Sequence, residues 1–363
     1  MEEIKKQFYF AFRLIYTTFA IMNKYILPAE WHNQEAILLT WPNECTDWRP
    51  YLKDITNTYV QLTRAIAVHE HVIISALNPI DVKQILNNEL DSELMAHVQI
   101  YQSLNDDTWT RDHGFISLIG NENRQLLDFK FNGWGEKYPY EHDNKINTEL
   151  YHNNAIKGEY ILHNSFVLEG GSIESDGNGT IFTTSSCLLA PHRNQPLTKD
   201  NIEEFLKLFL YAKRVIWIDH GQLIGDDTDG HIDTIVRVCP NNTLLYVNCN
   251  NPKDIHYDDF KALEKQLMTF TNSYDTQPYN LVALPFPDAI YDGKQRLPAT
   301  YANFLIINGA VIVPTYNQPE NDKKAMDIIH SVFPNREIIG IDACTIIRQH
   351  GSIHCLTMQI PAI

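Results

Sequence analysis

Residues 166–184 read FVLEGGSIESDGNGTIFTT, two apolar runs separated by SDGNG. Asp, Gly and Asn between runs rich in β-branched and aromatic residues predict a hairpin. The same pattern recurs at 115–131 around GNEN, at 232–247 around PNN and at 304–313 around NG. Helical stripes lie between the hairpins. Ile202, Phe205, Leu206, Phe209 and Leu210 fall at i, i+3, i+4, i+7 and i+8. Ile55, Tyr59, Leu62 and Ile66 form a second stripe. Met326, Ile329 and Phe333 form a third, behind Asn321 and Asp322 as N-cap candidates. Short apolar runs follow these helices: HVIISAL from His71, RVIWID from Arg214 and REIIGID from Arg336. Such alternation predicts an α/β fold.

A polar cluster stands at the start of each hairpin: Trp109 to Asp112, Glu169, His231 to Asp233, and Asn303. His354 and Cys355 open a fifth segment. The spacings from Asp112 through Glu169, His231 and Asn303 to Cys355 are 57, 62, 72 and 52. A loose repeat of this length predicts five units in radial repetition, a five-unit α/β-propeller. Equivalent strand starts then converge on one axis, and a site there takes one residue from each unit.

The chain has 363 residues, 44% hydrophobic and 20% charged, a globular composition that excludes disorder for its bulk. No Pro/Gly/Ser-rich linker divides it, so residues 23–363 read as one catalytic domain. Residues 1–22 read as an extension of no assigned role. Its apolar stretch FYFAFRLIYTTFAIM, from Phe8 to Met22, is broken by Arg13 and too short for a bilayer span. An added helical segment, or an upstream start codon ahead of Met22, accounts for it. The net charge of -16 argues against a nucleic-acid partner and admits a small cationic ligand. No membrane partner is expected, and a homo-oligomer is compatible with the sequence. The six cysteines, at 45, 187, 239, 249, 344 and 355, form no CxxC pair. A disulfide framework is not expected, and the setting reads as reducing and cytoplasmic.

Cys355, in HGSIHC, is a candidate nucleophile, and an inert core thiol is the competing reading. If His354 and Cys355 lie on a strand, they point to opposite faces, so the base must come from elsewhere. In GDDTDGHID, 225–233, His231 and Asp233 are two apart and would share a strand face. Three readings compete: a metal site built on His231 with Asp227, Asp229 and Asp233, an acidic turn, or a catalytic histidine with a carboxylate for a cationic substrate. The loop lacks EF-hand spacing, and HExxH is absent. In NDDTWTRDHG, 105–114, Trp109 can lay an indole face beside a cation that Asp112 binds. The capping turn with a core Trp is the alternative. Arg111 would point away from Asp112, and His113 reads as loop polarity. Glu169 precedes Gly170 and Gly171, which let the backbone approach a ligand closely; the acid could orient a histidine. GxGxxG, GxxxxGK[ST] and GxSxG are absent, so nucleotide binding and a serine nucleophile are unsupported.

Seven stretches, LPAEWHNQEAILLTWP, NDDTWTRDHG, DFKFNGWGEKY, EGGSIESDGNGT, GDDTDGHIDT, LPATYANFLIINGAVIVPTY and HGSIHCLTMQIP, together resemble the agmatine deiminase family. That family has the pentein fold and borders the bacterial peptidylarginine deiminases. The resemblance covers residues 27–361 and implies a guanidine C–N hydrolase with no metal and no cofactor. It matches Cys355 to the nucleophile, His231 and Asp233 to the H-x-D element, Asp112 and Trp109 to W-x-x-D, and Glu169 to EGG. Asn303 matches an Asn near the nucleophile. Substrate-binding roles fall to Trp109, Asp112, Asp233, Asn303 and Asp227. Agmatine is the implied substrate, on a route to putrescine and polyamines, with peptidylarginine the alternative. The cysteine motif reads QHGSIHCLTMQ where many agmatine deiminases read GGGNIHC followed by TQQ, and Phe115 stands where Pro is common. From other classes, a metal-dependent hydrolase and a catalytically dead binding scaffold remain to be separated by metal content and ammonia release.

Overall fold

The computed structural model describes residues 25–274 and 276–363; the expected extension, 1–22, lies outside the described residues. The strands, in chain order, are β1 Gln34–Thr40, β2 His71–Ala76, β3 Val98–Gln102, β4 Ile116–Ile119, β5 Arg124–Lys130, β6 Glu159–Val167, β7 Ile173–Ser175, β8 Thr180–Thr184 and β9 Arg214–Ile218. They continue as β10 Val236–Cys239, β11 Thr243–Asn248, β12 Asn280–Pro285, β13 Tyr291–Asp292, β14 Gln295–Arg296, β15 Leu305–Ile307, β16 Ala310–Thr315, β17 Glu337–Asp342 and β18 Thr357–Pro361. Five sheets result, β18-β1-β2-β3, β4-β5-β6, β7-β8-β9, β10-β11-β12 and β15-β16-β17, beside the small hairpin β13-β14. The fold is mixed α/β, and no strand order among the described residues closes a barrel.

One topology recurs in all five sheets: an antiparallel pair, then a parallel one. The antiparallel pairs β4-β5, β7-β8, β10-β11 and β15-β16 are the four expected hairpins. At PNN, Asn241 and Asn242 both take positive φ (59° and 54°), the conformation that matches a tight hairpin turn to the strand twist. A parallel neighbour needs a crossover, which a helix supplies. Leu52–Ala67 joins β1 to β2, Asp143–His152 joins β5 to β6, and Lys199–Phe209 joins β8 to β9. Tyr257–Leu267 joins β11 to β12, and Pro319–Val332 joins β16 to β17.

The helical stripes bury as their spacing predicts. Ile55, Tyr59, Leu62 and Ile66 are inaccessible, as are Ile202 and Leu206. Thr198 caps Lys199–Phe209 in a capping box with Asn201. The third helix starts earlier than expected: Gln318 is its N-cap and Pro319 its first residue, so Asn321 and Asp322 are not caps. Proline fits there because its φ is preset and the first turn lacks N–H acceptors anyway. Asp322 instead accepts from the backbone N–H of Gln318 (2.9 Å) and Tyr316 (3.0 Å).

A short turn immediately precedes the first strand of four sheets: Thr110–His113, Gly170–Ser172, Ile232–Thr234 and His354–Leu356. Asn303 stands two residues before β15 in the fifth. Pairing of β18 with β1, Thr357 opposite Leu39, brings the 354–356 turn to the others. Behind these turns Arg237, on β10, is fully buried. Its Nε donates to Glu174 Oε1 (2.6 Å) and its Nη2 to Glu30 Oε2 (2.5 Å), while Nη1 reaches the carbonyls of Ala302 and Phe304. One guanidinium thus ties four segments together. Arg237→Leu would leave two buried carboxylates without their cation, and we expect it to cost about 3–5 kcal/mol. Denaturant unfolding reads this directly; a loss below ~1 kcal/mol would show that the pair is relieved by another group.

Candidate active site

Asp112 lies in the turn Thr110–His113 and is buried. Its Oδ1 accepts from the Gly171 N–H (3.1 Å) and its Oδ2 from the Trp134 indole (3.0 Å). His231 is wholly buried, its Nδ1 3.5 Å from Asp112 Oδ1. Asp233 is also fully buried. Its Oδ2 meets His354 Nδ1 at 2.7 Å, and its Oδ1 has no hydrogen-bond partner. A Cβ built on Gly171 would lie 2.6 Å from His231 Nδ1, 2.8 Å from Asp112 Oδ1 and 3.2 Å from Asp233 Oδ2. The imidazole and both carboxylates therefore close in on the Gly171 backbone, where any side chain would collide with them. The glycine pair serves close approach, as expected.

Cys355 completes the cluster. Its Sγ lies 3.3 Å from Asn303 Oδ1 and 3.9 Å from Asp233 Oδ2, and its N–H donates to Asn303 Oδ1 (3.3 Å). Trp109 closes one wall. Its ring packs where a Cβ on Gly351 would come within 2.1 Å, so the retained glycine of HGSIHC makes room for the indole. Trp109, Asp112, Trp134, Tyr138, Asp227 and Cys355 line one cavity, which also reaches Asp47, Asp107 and Asp226. A second cavity, bordered by Glu30, Arg111, Glu174 and His354, touches the back of the cluster without reaching Cys355 or Asp112.

The electrostatics follow from burying like charges together. Burial and the neighbouring Asp233 and Glu169 push Asp112 up to about 6, against the pull of His231. Burial opposes the charge on His231, but Asp112, Cys187 and Glu169 outweigh it and raise the imidazole well above its ordinary value. Burial also opposes the charge on Asp233, yet His354, His231 and Arg237 hold its carboxyl below the usual range. The Cys355 thiol is pushed well up, first by burial and then by Asp233 and Asp112.

Seven of the expected residues, Cys355, His231, Asp112, Asp233, Glu169, Trp109 and Asn303, come together. Asp227 does not join the cluster. It stands at the cavity mouth, where its Oδ2 accepts from the Tyr138 hydroxyl (2.7 Å) and its carbonyl from Lys137 Nζ (2.7 Å). Several local expectations change. His231, Asp233, His354 and Cys355 sit at or in 3₁₀ turns, not on strands. Glu169 makes no hydrogen bond to His231. Its Oε1 accepts from Arg193 (2.9 Å) while Oε2 is buried without a partner, so it acts on the ring through its charge. His113 is not loop polarity: it is buried, with Nε2 3.3 Å from Thr40 Oγ1, and burial pushes its imidazole down to about 3. Arg111 does turn away from Asp112, donating to Gln359 Oε1 (2.6 Å).

The metal set read from GDDTDGHID is not assembled. Asp229 is bound by Arg193 (2.6 Å) and Lys137 (2.8 Å), and Asp227 faces Tyr138. Two other groups among the described residues bring ligating atoms within 4.8 Å: Glu169, Cys187 and His231, and Glu30, Glu174 and His354. Arg193 already donates into the first and Arg237 into the second, so a protein cation stands where an ion's charge would act. Trp134, Arg193 and Glu30 escaped the sequence reading, and His354 enters it only as a poor base for Cys355. Trp134 had a signal, the G-W-G sequence inside an aromatic run; Arg193 had none.

A thiol, an imidazole and two carboxylates packed together make the layout of a cysteine-dependent hydrolase. Residues 26–361 match the family model of the Porphyromonas-type peptidyl-arginine deiminases, and the chain belongs to that family. It is 31% identical to the "Putative agmatine deiminase" of Marinomonas sp., over 92% of this chain and 94% of that one. A solved structure of the "Putative Arginine Deiminase" from Porphyromonas gingivalis superposes with a TM-score of 0.88 at 44% identity, covering 93% of this chain and 98% of that one. A cysteine-to-serine variant of the C. jejuni agmatine deiminase with substrate bound gives 0.85 at 34%, covering 94% and 97%.

Gly171 offers a direct test. Its φ lies outside the left-handed region, so the backbone accepts alanine, but the methyl would push His231 and Asp112 out of place. We expect Gly171→Ala to lower the unfolding midpoint by the overpacking and to lose at least ~100-fold in kcat/KM, about 2.7 kcal/mol, in the fraction that stays folded. Retained turnover would mean that the arrangement of His231 and Asp112 is not needed for the reaction.

Proposed function

We propose that this protein hydrolyses a guanidino C–N bond, converting agmatine and water to N-carbamoylputrescine and ammonia. The observation that carries this reading is the pair Asp112 and Asp233, two buried carboxylates packed against His231 beside the Cys355 thiol, with no lysine or arginine bonded to either among the described residues. A guanidinium is planar, always charged and able to give paired N–H bonds to a carboxylate. Its charge offsets the two carboxylates that raise the Cys355 thiol, so binding the substrate favours the thiolate. That thiolate attacks the guanidino carbon and forms the C–S bond. His231, protonated because its acidic neighbours hold it so, gives its proton to the departing nitrogen. Ammonia leaves and an S-alkylthiouronium remains. The neutral imidazole then takes a proton from water, hydroxide adds to the carbon, and the C–S bond breaks to release the ureido product. No step calls on a metal or an organic cofactor.

Residues 23–363 act in this reading as one catalytic domain. Its five sheets of one topology are the blades of a five-unit α/β-propeller, a pentein, with the pre-strand turns at the axis. The scattered free cysteines support a cytoplasmic setting, and the product fits a route to putrescine.

The choice of guanidine rests on the mouth. Among the described residues no lysine or arginine lines the cavity, whereas Asp47, Asp107, Asp226 and Asp227 reach it beside a single histidine, His350. A free amine suits these acids, while the α-carboxylate of arginine would be buried without a partner. Peptidylarginine is the second reading, favoured by the family description. Against it, Lys137 and Tyr138 bond across to Asp227 and narrow the opening beside Trp134.

An ammonia-release screen of agmatine, arginine and a blocked peptidylarginine decides. We expect agmatine to exceed arginine by at least ~100-fold in kcat/KM, and Cys355→Ser to abolish turnover while Cys344→Ser keeps most of it. Faster hydrolysis of the blocked peptide would move the protein to the second reading. Thiol titration gives an independent check. In the free enzyme the Cys355 thiolate, read at 240 nm against Cys355→Ser, should form only at a pH well above that of an ordinary thiol. Each carboxylate raises this thiol, so Asp112→Asn and Asp233→Asn should each bring thiolate formation to lower pH. No shift in either variant would remove the carboxylates from the thiol's surroundings.

A further inference from the structure

We infer that His354, the residue beside the nucleophile, is a positioning residue that holds the Asp233 carboxylate from behind, with Glu30 as its anchor. The inference rests on the reading of Asp233 as a guanidinium acceptor and says what keeps that acceptor in place. His354 and Cys355 are neighbours in a 3₁₀ turn, where successive side chains point roughly 120° apart. Cys355 faces Asn303 and the cavity. His354 faces the other way and is buried, with Nδ1 2.7 Å from Asp233 Oδ2 and Nε2 2.7 Å from Glu30 Oε2. An ionised carboxylate only accepts hydrogen bonds, so Nδ1 donates to Asp233, while Nε2 is enclosed by Glu30 Oε2 and Arg237 Nη2 (3.1 Å). Neither nitrogen is then left to take a proton from the thiol.

The consequence lies on the far side of Asp233. Its Oδ2 is committed to His354, while Oδ1 is buried and unpartnered. A carboxylate held by one oxygen cannot turn, so the free oxygen stays where the site needs an acceptor. Glu30 in turn is fixed by Arg237 Nη2 (2.5 Å) and by the Ile306 N–H (2.7 Å). A rigid chain therefore runs from β10 through Glu30 and His354 to the substrate-facing carboxylate.

The groups around Asp233 set the sign of the test. His354, His231, Arg237 and Arg111 favour its charged form, whereas Asp112 and burial oppose it. The Cys355 thiol is nearby and neutral in the free enzyme. Removing His354 takes away the hydrogen bond that favours the Asp233 carboxylate, so Asp233 protonates at higher pH. Binding is then lost as the pH falls, earlier than in the parent.

The test uses the guanidine turned over fastest and compares His354→Gln and Glu30→Gln with the parent. We expect His354→Gln to raise KM at least ~10-fold with a smaller fall in kcat, and to move the acidic limb of kcat/KM up by about one pH unit. Glu30→Gln, which touches neither thiol nor cavity, should move KM and the limb in the same direction by less. It keeps the inference testable if His354→Gln does not fold. A merely structural role would lower the unfolding midpoint and the active fraction, leaving KM and the limb unmoved; that outcome overturns the inference. Asp233→Asn is run alongside. An unchanged KM in that variant would instead refute Asp233 as the guanidinium acceptor.

Discussion

Two carboxylates, Asp112 and Asp233, are buried together with only the His231 imidazole between them and no lysine or arginine bonded to either among the described residues, and the rest of the site is arranged around that repulsion. Like charges out of water raise one another's proton affinity, and Asp112 yields, rising to about 6. The same field raises the His231 imidazole and the Cys355 thiol, although these two groups need opposite charges for their tasks. In the empty site it favours imidazolium and thiol. After burial, the charges that raise the thiol are Asp233 and Asp112, whereas His231 is also held by Cys187 and Glu169, so a planar cation bound between the carboxylates would relieve the thiol more than the imidazole. In the proposed reaction, activation of the nucleophile would then depend on the substrate's own charge.

The protein's cations stand outside this arrangement. Arg193 binds Glu169 on the far side of His231, and Arg237 binds Glu30 and Glu174 behind His354. Arg111, beside Asp112 in sequence, turns toward Gln359. Each guanidinium offsets acids that would otherwise add to the central repulsion. None is bonded to Asp112 or Asp233, where it would compete with a substrate of the same chemical group. Burying so many ions is costly, and each is retained only because its partners are held in matching geometry. The sheets supply that geometry. Each turn is fixed at the edge of a strand whose register is set by its neighbour, so five segments far apart in sequence meet to within a few ångströms.

What the sequence made legible were features whose cause is local. A PNN turn between apolar runs is a hairpin because asparagine tolerates the left-handed region, and the 199–209 stripe is a helix because its apolar face repeats at the helical period. The repeat of polar residues ahead of hairpins located five turns, and the H-x-D and W-x-x-D spacings located the acids. Hidden were features whose cause is contact at long range. Arg193 stands in a sequence without a motif and matters only because Glu169 and Asp229 come to it. His354 was visible beside Cys355, but strand geometry was assumed; the backbone winds into a 3₁₀ turn, and the side chain meets Asp233 and Glu30. At Pro319, a helix start was missed in favour of Asn321 because proline at the first position leaves no polar cap to read.

The acids of GDDTDGHID show why a count of charges is a weaker guide than their partners. Read together they make a metal loop or one acidic patch, and the net charge of -16 distinguishes nothing among them. The fold separates them. Asp226 accepts from the Thr228 hydroxyl (2.6 Å) and the Gly230 N–H (2.7 Å), which shape the turn that presents His231. Asp229 is bound to Arg193 and Lys137, linking the loop to Glu169 and to the segment carrying Trp134. Asp227 faces the Tyr138 phenol at the mouth, with His350 Nε2 3.7 Å from its Oδ2, and no lysine or arginine side chain is paired with its carboxylate as Arg193 and Lys137 are with Asp229. Asp233 alone presents a buried, unpartnered oxygen to the cluster. Within nine residues, one carboxylate shapes a turn, one fastens it, one stays at the entrance and one faces the reacting group. An acid already held by a protein cation is a weaker ligand, so in the proposed function recognition of a cation would fall first to Asp233, with Asp227 at the mouth the acid of this loop least tied to lysine or arginine.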